Sequence, residues 1–168
     1  MKELILIRHA KSDWGDASLD DHERSLNDRG LRDAPRVGEE LARRGAKPDV
    51  ILTSTAVRAL TTARAVAGKL DFPAGRIAAM GELYLADVSL LLRIIQDIDE
   101  SAGCALILGH NPGFHDLANR LLRDGGIDEF VTCAVVRLDL DVAFWGEVEA
   151  GCGRLREHFW PRQLRREP

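Results

Sequence analysis

Short apolar runs alternate with amphipathic stretches along nearly the whole chain. That is the pattern of strands interleaved with helices. Leu4–Arg8 predicts a buried strand, Leu31–Arg44 a helix, Val50–Thr53 a second strand and Val57–Leu70 a second helix. Ile77–Met80 predicts a weaker strand and Ser89–Asp99 a helix. The fully apolar Ala105–Gly109 predicts a strand that runs into His110-Asn111-Pro112-Gly113. A helix over about Phe114–Arg123 follows, then strands at Val131–Asp139 and Ala143–Val148. The basic run Arg154–Arg166 reads as a solvated helix face, docked onto the core by Phe159 and Trp160. Alternation of this kind predicts an α/β fold, a three-layer α/β/α arrangement around a mostly parallel central sheet. No repeat, low-complexity stretch or linker interrupts it, so one domain over 1–168 without a cap insertion is expected.

Composition narrows the partners. A chain of 168 residues fits one domain of roughly 100–200 residues. Acidic residues outnumber basic ones 27 to 23, which argues against a nucleic-acid partner. No apolar run reaches the ~20 residues that span a bilayer, so no membrane partner is expected. The start, MKELILIRHAKSDW, has no small-residue cleavage site and reads as a first strand rather than a signal peptide. Cys104, Cys133 and Cys152 are odd in number and widely spaced. That usage fits a reducing cytoplasm and argues against a structural zinc site.

In open α/β sheets ligands bind beyond the carboxyl ends of the strands. The residues to inspect are therefore Arg8-His9, Ser54 to Arg58, Gly81-Glu82 and His110-Asn111. This set is mostly cationic, with one carboxylate, and an anion is its natural occupant. Arg8, directly after the apolar LILI, needs a partner at a buried strand end. Thr53 or Ser54 can cap the following helix, which puts Arg58 near its first turn, where an arginine adds to the positive helix terminus. Asn111 suits an N-cap and Pro112 the first helical position. The alternative for His110 is a metal site with His115 and Asp116. His22 and His158 lie in polar surroundings and read as surface residues. Cys133 has an arginine four residues on, not the C-x5-R loop of cysteine phosphatases, and no P-loop motif is present.

Five blocks, LILIRHAKSDW at 4–14, RSLNDRG at 24–30, LTSTAVRALTTA at 52–63, GELY at 81–84 and LILGHNPG at 106–113, resemble the histidine phosphatase superfamily. The resemblance is to its short, SixA-type phosphohistidine phosphatases. One departure is Ala10, where the commonest first block of the family has glycine. The resemblance implies that His9 is the nucleophile, phosphorylated on a ring nitrogen, and that Arg8, Arg58 and His110 form the phosphate pocket. It implies a glutamate acid/base at Glu82, with Asp87 and Asp13 as alternatives. Arg24 either reaches the phosphate or forms a loop salt bridge with nearby acids. Neither metal nor cofactor is implied, because arginines do the electrostatic work.

A short chain without a cap leaves the site open to a phosphorylated side chain on a partner protein, such as phosphohistidine. Small phosphomonoesters are the other class such a site admits. A phosphoglycerate mutase would need more chain than this, and a binding module without catalysis would not need the nucleophile.

Overall fold

The computed structural model describes residues 1–164. Its six strands are β1 (Lys2–Arg8), β2 (Val50–Ser54), β3 (Ala78–Met80), β4 (Cys104–Gly109), β5 (Val135–Leu140) and β6 (Gly153–Phe159). They form one sheet in the order β3-β2-β4-β1-β5-β6. The first four are mutually parallel, β5 runs antiparallel to β1, and β6 antiparallel to β5. Four helices, α1 (Asp28–Arg43), α2 (Val57–Lys69), α3 (Val88–Gln96) and α4 (Gly113–Leu121), cover the two faces.

The pleat of β1 explains the three layers, since successive side chains point to opposite faces. Leu4 and Leu6 join the cluster under α3 and α4, whereas Ile5 and Ile7 join the one under α1 and α2. All four are fully buried, each contributing roughly 1.5–3 kcal/mol of hydrophobic stabilisation. Register then fixes where the chemistry lies. Arg8 pairs with Gly109, Thr53 with Leu108 and Ser54 with Met80. The parallel strands therefore end together, and the residues after them meet at one sheet edge.

Three sequence expectations need correction. The strand expected from Val131 begins at Val135. Residues Val131–Ala134 turn instead, and the N–H of Cys133 donates to the carbonyls of Arg8 and His9. Ala143–Val148 is not a strand. Its centre is a single 3-10 turn (Trp145–Glu147), because the backbone N–H groups of Trp145 and Gly146 bond the Glu100 carboxylate rather than a ladder. The last strand lies in the basic run expected to be helical. Arg154, Leu155 and Arg156 of β6 are exposed, as befits an edge strand kept charged on one face. Phe159 does dock into the core. Arg165 and Arg166 of that run lie outside the described residues.

Candidate active site

His9 follows β1 and is only 6% exposed. Its Nδ1–H donates to the carbonyl of Ala10 at 2.8 Å. The same residue is held through its other backbone group: Ala10 N–H donates to Thr62 Oγ1 (3.0 Å), whose hydroxyl donates to the carbonyl of Arg58 (2.8 Å). This assigns the tautomer, since a ring giving its proton at Nδ1 carries a bare lone pair at Nε2. That lone pair faces Arg58, whose Nε–H donates to it at 3.4 Å.

Burial, and then the charges of Arg58, Arg8 and Arg24, push the pKa of His9 down to about 4, against the bond to Ala10. Burial is the largest cause. The guanidinium charges act in the same direction. At neutral pH the ring is uncharged, with no proton on Nε2.

His110, after β4, lies with its ring centroid 5.2 Å from that of His9. Its Nε2 bonds Ser54 Oγ at 2.8 Å and its Nδ1 faces Arg58 Nη2 at 3.4 Å. Ser54 Oγ also accepts from Ala56 N–H. Ser54 thus orients His110 instead of capping α2, whose N-cap, Ala56, has no side-chain bond. Burial, His9 and Arg58 lower the pKa of His110 to about 3.

Arg58, in the first turn of α2, is 2% exposed and bridges the two imidazoles. Arg8 donates from Nη1 to the carbonyl of Phe130 (3.3 Å), while its buried Nε has no partner among the described residues. A buried guanidinium donor left unpaired beside a second arginine has the chemistry to bind an oxyanion. Burial and Arg58 both lower the pKa of Arg8, the cost of concentrating cations here.

Sequence reading missed Asp21. It lies in a 3-10 turn (Asp21–Glu23) of the long β1–α1 connection. Its carboxylate pairs with Arg58 Nη2 at 2.9 Å and Arg24 at 3.0 Å, and accepts the hydroxyl proton of Tyr84. Its carbonyl accepts from Arg58 Nη1 at 2.6 Å. Tyr84 first, then the two arginines, hold this carboxyl well below the usual range. Asp21 is thus an ionised clamp on Arg58, not a proton donor. The available signal was the acidic pair Asp20-Asp21 just before Arg24, but no periodicity places a loop residue. Arg24 resolves toward the loop salt bridge: it bonds Asp21 and Ser12 and stacks on Trp14 at 3.5 Å.

The other candidates lie apart from this network. Glu82 is exposed in the turn Gly81–Leu83, and no hydrogen bond among the described residues joins it to the imidazoles. Asp87 caps α3 through Leu90 N–H, and Asp13 accepts from Gly15 N–H. Asn111 is not a cap either; its Nδ2 donates to the Phe130 carbonyl, and α4 starts at Gly113. His115 bonds the Ile127 carbonyl, and no group of three or more metal-ligating side chains forms among the described residues. His22 is not a free surface residue. It bonds Thr55 and packs edge-on against Tyr84. His158 is partly buried beside Trp160.

The profile of the histidine phosphatase superfamily (branch 1) matches residues 4–97, which contain His9, Arg8, Arg58 and Glu82. The chain belongs to that superfamily. An uncharacterized protein of Mycobacterium tuberculosis is 32% identical over 165 residues, covering 93% of this chain and 100% of the relative. Among solved structures, the protein histidine phosphatase SixA complexed with tungstate superposes with a TM-score of 0.83 at 22% identity, covering 97% of this chain and 99% of that one. The putative phosphohistidine phosphatase SixA of Agrobacterium tumefaciens gives 0.81 at 26% identity, covering 95% and 98%. This histidine phosphatase chain thus matches SixA-type structures over nearly its whole length.

Proposed function

We propose that this chain is a metal-independent phosphatase working through a phosphohistidine intermediate on His9, and that it removes phosphate from phosphohistidine on a partner protein. The observation that carries the reading is the bare Nε2 of a neutral His9, aimed at Arg58 beside the open Nε of Arg8.

In the first step His9 Nε2 attacks phosphorus, the bond to the leaving group breaks, and that group leaves with a proton. In the second, water attacks phosphorus, the N–P bond breaks, and His9 regains its lone pair. The phosphoryl group passes through a loose transition state with charge spread over its oxygens, so positioned cations supply most of the stabilisation. Arg8 and Arg58 are those cations. His110 completes the pocket, because a bound dianion opposes the lowering of its pKa and favours a proton on Nδ1. We assign proton delivery to Glu82 where a leaving group needs it. A phosphohistidine leaving group needs it least, since an imidazole can carry its own proton. The unpaired, buried thiols of Cys104, Cys133 and Cys152 support a reducing, cytoplasmic setting.

Steady-state turnover of a phosphohistidine-bearing protein and of a panel of small phosphoesters, with and without a chelator, tests the reading. The expected result is chelator-insensitive activity, highest on the phosphoprotein and lost in His9→Ala. Turnover of small esters alone would overturn the substrate assignment, and strong chelator inhibition the reaction class.

A further inference from the structure

A second concave surface lies at the same sheet edge as the candidate active site. It is a groove of about 880 Å³ between α1 and the chain after β6, lined by Arg29, Arg32, Arg36, Trp160 and Arg162 among others. Only two carboxylates, Asp33 and Glu129, share it. Asp33 is already neutralised by Arg29 at 3.6 Å and Arg36 at 3.2 Å. Arg32 and Arg162 are exposed, and no carboxylate among the described residues pairs with either. The groove is therefore positive on a chain whose net charge is -4.

Its position follows from register. Ile7 pairs with Val135, and Val135 with Phe159, so one row crosses β1, β5 and β6. Neighbouring strands lie about 4.8 Å apart, which puts the start of the groove wall at Trp160 roughly 10 Å across the sheet from the end of β1. One short turn joins the two sites. Phe130 gives its carbonyl to Arg8 and Cys133 its N–H to the Arg8 and His9 carbonyls, while Val131 and Thr132 between them line the groove.

We propose that this groove docks an acidic segment of the partner protein that presents its phosphoryl group to His9. The proposal rests on the protein-substrate reading above. Guanidinium groups match carboxylates in two-point geometry. Trp160 adds an apolar wall, and the groove has room for several side chains. Unpaired charges at such a rim act mainly by steering the encounter.

Two phosphohistidine peptides of equal length, one flanked by glutamates and one by lysines, test this, with phosphoimidazole as the small control. The wild type should favour the glutamate-flanked peptide about tenfold in kcat/KM at low salt. That preference should vanish between roughly 0.01 and 1 M salt, as the Debye length falls from about 30 to about 3 Å. In the double variant Arg32→Glu, Arg162→Glu it should be lost or inverted, with phosphoimidazole turnover and thermal melting unchanged. The lysine pair Arg32→Lys, Arg162→Lys should retain it. Equal turnover of both peptides by the wild type, or an unaltered preference in the glutamate variant, would overturn the groove. If no phosphoramidate is turned over, it is the functional reading that fails. The groove is then judged by binding of the unphosphorylated glutamate-rich peptide, which must weaken in the glutamate variant or the proposal falls.

Discussion

His9 is held by both neighbours of its ring: Nδ1 is tied to the Ala10 carbonyl and Nε2 lies under Arg58. Arg58 is itself held by Asp21 through both its carboxylate and its carbonyl. Removing the charge of Asp21 should therefore act on Arg58 rather than on the nucleophile. Asp21→Asn is expected to lower kcat/KM by about 10- to 100-fold, or roughly 1.4–2.7 kcal/mol, with the His9 phosphoenzyme still formed. Steady-state kinetics beside a phosphoenzyme assay check this, and an unchanged kcat/KM would remove Asp21 from the machinery. Arg8, His9, Arg58 and His110 were legible because strand ends and helix starts are written in local apolar pattern. Asp21 was not, because its place is set by contacts with Arg58 and Tyr84, distant along the chain.

At the scale of elements, the site depends on how closely helix starts approach neighbouring backbone. A Cβ added to Gly113, the first residue of α4, would meet the carbonyl oxygen of Ala86 at 2.1 Å. Gly113→Ala is expected to destabilise the fold by about 1–3 kcal/mol through overpacking and to disturb His110, three residues before. Denaturant unfolding measures the first and KM for substrate the second; an unaltered midpoint would contradict the packing. β1, β2, β4 and the four helices were readable because their apolar periods are strong, whereas the mostly exposed β3 gave a weaker signal. β6 was not, since an edge strand exposing arginines resembles a solvated helix. The buried Trp145 next to the exposed Phe144 imitated strand alternation in what is a connecting turn.

At the scale of the whole molecule, two buried imidazoles link stability to pH. Their folded pKa values, about 4 for His9 and about 3 for His110, lie below the ordinary 6.5. Protonation thus favours the unfolded chain: the contribution is full above 6.5 and is lost as pH falls toward 4 and 3. Around pH 5 the unfolded state holds up to two more protons, a slope of about 3 kcal/mol per pH unit. Urea unfolding between neutral pH and about pH 5 should follow it, and a flat profile would contradict buried, neutral rings.

The most direct test is chemical. After rapid quenching of turnover with phosphorus-labelled substrate, the label should be found on Nε2 of His9, acid-labile and base-stable, and should be absent from His9→Ala. Label on another residue, or turnover with none on the ninth, would contradict a reaction built on that lone pair.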